Sequence, residues 1–275
     1  MSTLADRTIS ALRGNHDQLT ARVSGLDEED LARQSGSSQW DVAHVLSHLG
    51  SGAEIALAAL QAAMAGQETP GQETPGQDFN QLVWDRWNVM SPQEKAQGFL
   101  DANEQLVTAY EGLDATTRQA LHVKLAFLPF PADVALLSGM RLNEAALHGW
   151  DVRVAFDPHA TLTIEETAAT LEQLTGPLSF MVGFLGKPEA LGGIQATLRV
   201  ETTDPNRVLG LVLGERVSLG EAPTDSDVGG VLTSPAEAWL RLLAGRLDEA
   251  HTPDTLTITS NVVTLEQLRR VFPGI

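Results

Sequence analysis

The chain has 275 residues, with 43% hydrophobic and 20% charged side chains, a balance ordinary for a globular protein and incompatible with wholesale disorder. Its 36 acidic residues outnumber 18 basic ones for a net charge of -18, which repels phosphate backbones and anionic lipid surfaces, so neither nucleic acid nor membrane is expected as a partner. The absence of cysteine excludes disulfides, thiolate metal ligands and a cysteine nucleophile, so any sulfur chemistry must use a small-molecule thiol.

No stretch approaches the ~20 consecutive apolar residues that span a bilayer. Residues Met1–Arg7 lack the charged and apolar regions of a secretory signal, so a cytoplasmic location is expected. Leu4 to Leu26 carries apolar residues at helical spacing. Ser37 and Ser38 are the expected N-caps of a helix from about Trp40 to Met64, with Asp41 in its first turn. Val42, Val45, Leu46, Leu49, Ala53, Ala56 and Leu60 form its apolar stripe, and His48 falls at the edge of that stripe. Residues 66–78 repeat Gly-Gln-Glu-Thr-Pro in tandem before Gly76-Gln77-Asp78 and read as a polar loop, a tolerated duplication. Phe79 to Asn88 is helical. Ser91-Pro92-Gln93-Glu94 is a strong helix start and predicts a helix to about Gly112. Ala132 to Phe156 is the fourth long helix, stopped by Asp157-Pro158.

Four long amphipathic helices predict a helix bundle over residues 1–158. Residues 159–275 change character. Thr163 opens a helix toward Gly186, and period-two alternation then marks strands at 194–202 and 208–213, on either side of the turn Asp204-Pro205-Asn206. Further short strands at 228–232 and 256–260, with helices at 235–247 and 264–272, predict a smaller α+β unit.

Glu144 and His148 stand one turn apart on the fourth helix, so their side chains reach a common point. With His48 they would make a set of two imidazoles and a carboxylate, a common ligand set for a catalytic divalent metal. The residues alone leave a rival open: an ion-pair network of Glu144 with Arg141 and His148 with Asp151, with His48 simply packed. His44, one turn before His48, offers a competing two-histidine arrangement. The chain has no HExxH, GxSxG, Walker or GxGxxG pattern, which removes the standard protease, esterase, NTPase and dehydrogenase readings.

Trp40-x7-His48-Leu49, followed by Arg141-x2-Glu144-x3-His148-x-Trp150-Asp151, resembles the mycothiol-dependent maleylpyruvate isomerase family of the DinB-like metalloenzyme superfamily. The likeness extends to Asp78-Phe79-Asn80, to Trp239-Leu-Arg-Leu-Leu-Ala-Gly-Arg246 and to the closing Leu268-Arg-Arg-Val-Phe-Pro-Gly274, and so covers nearly the whole chain. It implies a DinB-like four-helix bundle followed by a small domain of sterol-carrier type. It also implies a divalent metal, usually zinc, on His48, Glu144 and His148, with the thiol mycothiol as cosubstrate. His44 is not a ligand in the family pattern, and the 66–78 loop departs from it. The expected activity is thiol attack on a small electrophile, either cis–trans isomerisation of a maleylpyruvate-like substrate or S-transfer. A DinB-like metal-dependent hydrolase and a non-catalytic small-molecule binding protein are the alternatives. In supporting roles, Asp151 is expected to orient His148, Arg141 and Arg246 to hold carboxylates, and Asn80, Trp84 and Trp87 to line the pocket. A monomer or homodimer is expected.

Overall fold

A computed structural model describes residues 2–70, 79–224 and 228–274. The chain forms two compact units, Met1–Ala160 and Thr161–Ile275. The second copy of the tandem repeat, with Asp78 of the Asp78-Phe79-Asn80 motif, lies outside the described residues.

The first unit is helical: α1 (Leu4–Val23), α2 (Glu28–Leu31), α3 (Val42–Met64), α4 (Phe79–Asn88), α5 (Pro92–Glu111), α6 (Ala115–Ala120) and α7 (Val134–Val154). The four long helices pack pairwise, α1 against α5 and α7, and α3 against α5 and α7. Their starts are written in the sequence. Thr3 with Asp6, and Ser91 with Glu94, form reciprocal capping boxes that satisfy backbone donors at the first turns of α1 and α5. The caps of α3 differ from expectation. Asp41, not Ser37 or Ser38, accepts the His44 backbone N–H, because residues 35–40 fold into a turn in which the Ser35 hydroxyl donates to the Trp40 carbonyl at 2.7 Å. Helix α7 likewise begins two residues later than expected. Ala132–Asp133 (β2) pairs with His122–Val123 (β1), and Asp133 then caps the helix.

Fully buried Leu19, Leu31, Leu46, Leu49, Phe99 and Val152 fill the centre between the long helices. Helix α4 is locked onto this core by Trp87, which is 2% exposed. Its indole occupies the space a side chain would need at Gly50 of α3, where a Cβ would lie 2.1 Å from the ring, and at Gly98 of α5, where it would lie 2.9 Å away. Two glycines on different helices thus form the slot that holds one tryptophan, a close approach no other residue type permits.

The second unit mixes helices and a sheet: α8 (Ile164–Leu174), α9 (Met181–Leu185), β3 (Ala196–Thr203), β4 (Arg207–Leu213), β5 (Val217–Gly220), β6 (Gly230–Pro235), α10 (Ala236–Leu243), β7 (Thr257–Ser260) and α11 (Leu265–Val271). The strand order is β5-β4-β3-β6-β7, antiparallel except for the parallel pair β3–β6. Leu198 and Val200 of β3 and Leu209, Leu211 and Leu213 of β4 alternate into one buried face, against which α10 packs with fully buried Trp239. The helix expected to run from Thr163 toward Gly186 stops at Leu174, since Pro177 disfavours helical backbone at the residue before it and Gly176 gives the chain its exit. Among the described residues, no helix is long and apolar enough to cross a membrane.

Candidate metal centre

The packing of α3 on α7 brings His48 to Glu144 and His148. One nitrogen of each imidazole and one carboxylate oxygen all lie within 4.8 Å of one another. His48 Nε2 is 3.0 Å from Glu144 Oε2, and His148 Nε2 is 3.7 Å from the same oxygen. The two imidazoles meet edge to face with centroids 4.6 Å apart. Such a cluster of partly exposed donors (39% for the His48 side chain, 47% for Glu144 and 15% for His148) can gather round an ion while leaving it reachable.

The surroundings prepare these donors. His148 Nδ1 lies 2.8 Å from Asp151 Oδ2, and Asp151 has no exposed surface. With the proton on Nδ1 donated to Asp151, Nε2 presents its lone pair toward the common point. Asp151 is itself tied down. Its carbonyl accepts the Gly36 N–H at 2.9 Å, and a Cβ at Gly36 would stand 2.8 Å from the Asp151 carboxylate. Glu144 is kept ionised. Desolvation disfavours its charge, but the His48 hydrogen bond, His148 and Arg141 more than offset this and lower its pKa to about 2. The Trp40 ring covers both imidazoles, with centroids 5.1 Å from His48 and 5.6 Å from His148. Two nitrogens of borderline softness and an ionised carboxylate are a donor set that fits zinc or a similar divalent ion. His44 does not join them. It is exposed, and its Nδ1 lies 2.7 Å from Asp41.

Two cavities flank the cluster and share His48 and Trp84. One, of about 280 Å³, is mixed, with Ser47, Ser51, Gln81 and Asn88 among the rings of Trp40 and Trp87. The other, of about 330 Å³, is walled by Ile55, Leu60, Phe127, Leu137 and Met140, with Asn80, Arg141 and Glu144 as polar points.

Arg141 sits on this second cavity, 6% exposed. Its NH2 donates to the Leu49 carbonyl at 2.9 Å and to Asn103 Oδ1 at 2.8 Å. Burial lowers its pKa to about 10, and Glu144 counters that shift, so the guanidinium stays charged at neutral pH. The ion-pair alternative is therefore half realised: His148 pairs with Asp151, while Arg141 and Glu144 form no ion pair.

Of the residues expected from sequence, His48, Glu144, His148, Asp151, Arg141, Asn80, Trp84 and Trp87 all lie at the cluster or on the two cavities. Trp87 is the least available of them, buried with Nε1 donating to Glu54 at 3.0 Å. Arg246 belongs to the second unit, where it donates to the Ala244 carbonyl at 3.1 Å. Sequence reasoning did not assign Trp40, Gly36, Ser51 or Asn103 to the site. Trp40 carried a signal, its fixed place before His48 in the motif, whereas Asn103 had none.

Residues 12–153 match the family model described as the mycothiol maleylpyruvate isomerase N-terminal domain, more than half of the chain and a span that contains His48, Glu144 and His148. Two solved structures share the fold across both units. They are a mycothiol-dependent maleylpyruvate isomerase and a histidine-to-alanine variant of it, each 16% identical, covering 96% of this chain and 98% of the other, with a TM-score of 0.63. At that identity the likeness speaks for the fold alone. No curated protein matches the sequence.

Proposed function

For a chain that belongs to the family of the mycothiol maleylpyruvate isomerase N-terminal domain, we propose a metal-dependent enzyme that uses mycothiol as the nucleophile on a small electrophile. The reaction is cis–trans isomerisation of a maleylpyruvate-like substrate or S-transfer. The observation that carries this reading is the convergence of His48, Glu144 and His148 beside two cavities, one of mixed lining and one mainly apolar. A divalent metal, zinc by donor type, would be held by these three side chains and would supply Lewis acidity, favouring the thiolate form of a bound thiol.

The chain's own residues do the rest. Asp151 holds His148 with Nε2 free of its proton. Glu144 contributes the negative charge that balances the ion. Trp40 covers the imidazoles and keeps bulk water from that side. The hydroxyls and amides of the first cavity suit a polyhydroxylated thiol, with exposed Trp84 as a stacking surface, and Arg141 and Asn80 receive the electrophile in the other cavity. In the isomerase form, sulfur adds to the cis double bond and leaves after rotation about the resulting single bond. In the transferase form sulfur stays bound, either because the carbanion left by its addition is protonated or because it displaces a leaving group such as halide, which departs with the bonding electron pair. Arg246 is assigned as a further anion contact on the family resemblance alone.

The reading includes a DinB-like four-helix bundle up to about residue 158 and a sterol-carrier-like domain after it. Pairwise packing of the four long helices and the separation of compact units after Ala160 support that division. The test is turnover of cis-configured unsaturated keto acids and a panel of halogenated electrophiles with and without mycothiol. Strict thiol dependence is expected. Turnover of an ester or amide without thiol would point to a hydrolase using the same ligands, and no turnover of any kind would favour a binding protein.

A further inference from the structure

One run of hydrogen bonds crosses the helical unit from its surface to Arg141. Arg141 of α7 donates from NH2 to Asn103 Oδ1 of α5 at 2.8 Å, and Asn103 Nδ2 stands 3.0 Å from His16 Nδ1 of α1. On the far side of the ring, His16 Nε2 is 2.9 Å from Oε2 of half-exposed Glu104 and 3.2 Å from the Thr20 hydroxyl. Asn103 and His16 are both buried. The same Arg141 NH2 also donates to the Leu49 carbonyl of α3, so the run joins all four long helices. It holds one edge of the guanidinium. NH1 lies on the side of Gly52, which lines the apolar cavity and where a Cβ would stand 3.3 Å from that nitrogen.

The direction of each bond is fixed from both ends. A guanidinium can only donate, so Asn103 turns its oxygen to Arg141 and its NH2 to His16. An amide NH2 also only donates, so His16 Nδ1 carries a lone pair. Glu104 is kept ionised by its hydrogen bond to Arg13 and can only accept, so the imidazole proton sits on Nε2. His16 is therefore neutral, and burial favours that form by lowering its pKa against the pull of Glu104. A second proton would land on Nδ1, facing another donor at 3.0 Å. Turning the amide to relieve that clash would point its NH2 at Arg141, and the guanidinium would lose its acceptor on α5.

Resting on the reading that Arg141 receives the electrophile, we infer that His16 and Asn103 are positioning residues: neutral His16 sets the Asn103 amide, and the amide holds Arg141 in the orientation that binds an anion. The charged and titratable groups facing His16 are Arg13 and Asp17 on its own helix, Glu104 and Glu111 on α5, and Arg141 of α7 through Asn103. Protonation of His16 releases Arg141, so affinity for an anionic electrophile falls as pH drops through the His16 titration.

The test is equilibrium binding of benzoylformate, a keto acid ionised throughout, to the zinc-loaded protein between about pH 7.5 and about pH 5. Methyl benzoylformate is the uncharged reference. Wild type should lose about tenfold in affinity for the acid, and none for the ester, as pH falls. His16→Asn keeps an oxygen that accepts from Asn103 and cannot be protonated, so it should retain the neutral-pH affinity with a flat profile. Asn103→Leu should bind the acid at neutral pH as weakly as wild type does in acid, with metal content unchanged. The isosteric Asn103→Asp should do the same, because its carboxylate pairs with Arg141. Nitrogen NMR of the His16 ring should find the proton on Nε2 at neutral pH. A proton on Nδ1, a His16→Asn profile parallel to wild type, or wild-type affinity in both Asn103 variants would overturn the inference. A network that only ties helices together would alter stability without separating acid from ester. Arg141→Met distinguishes the two layers. Unchanged affinity for the acid in that variant, with the His16 proton on Nε2 in wild type, would reject Arg141 as the seat of the electrophile and leave the hold of His16 and Asn103 on its guanidinium standing.

Discussion

His148 and Asp151 are bound through Nδ1 and Oδ2 at 2.8 Å, and the aspartate in this pair has no surface exposed to solvent. A carboxylate buried at that cost has a task, and its geometry gives one: it fixes the tautomer and the ring plane of a ligand-type histidine. Asp151→Ala should lower zinc affinity by about 10–100-fold while leaving the helical content unchanged. Competition against a chromophoric chelator, alongside circular dichroism, measures both. An unchanged affinity would reduce Asp151 to a packing residue.

The slot around Trp87 predicts an unusually severe glycine substitution. At Gly50 the ring lies 2.1 Å from where a Cβ would be, and the ring is fully packed. Gly50→Ala should destabilise the protein by about 1–3 kcal/mol through overpacking, against the small gain alanine normally brings inside a helix. Trp87→Leu combined with Gly50→Ala should recover much of that loss in urea unfolding. No recovery would mean the strain lies elsewhere.

Acid sensitivity should include the start of α1. The Asp6 carboxyl accepts the Thr3 N–H at 2.9 Å, and this bond, the Thr3 hydroxyl and Arg118 lower its pKa from 3.8 to about 2. A carboxylate with a depressed folded-state pKa contributes stability that is present above its unfolded value and is lost as pH falls through the folded one. The wild type should therefore lose part of its stability between about pH 4 and pH 2, and Asp6→Asn should lack that part of the loss. Melting temperatures across that window decide it, and parallel curves for the two proteins would contradict the assignment.

How much could be read from the residues divides along physical lines. Glu144 and His148 were legible because helical spacing alone makes them neighbours, and Ser91-Pro92-Gln93-Glu94 announced its helix through local hydrogen bonds. The start of α3 differs because residues 35–40 close a local turn, in which the Ser35 hydroxyl donates to the Trp40 carbonyl and accepts the Ser37 N–H, and Asp41 is left to cap the helix. The break after Leu174 was visible in Gly176-Pro177 and was overridden by apolar periodicity that continues past it. Short β5 escaped because four residues carry too little alternation. At the site, the Asn103–Arg141 bond joins α5 to α7 across 38 positions, and the glycine windows at Gly36 and Gly52 exist only once the helices have packed.

On the proposed reading His48, Glu144 and His148 together hold a metal ion. Elemental analysis of wild type, Glu144→Ala and His148→Ala, purified without chelator, tests it most directly. The prediction is one equivalent of zinc or another divalent metal in the wild type and its loss in both variants, each still folded. A folded wild type that carries no metal and takes none up on reconstitution would contradict the claim and leave the three side chains as a hydrogen-bonded cluster.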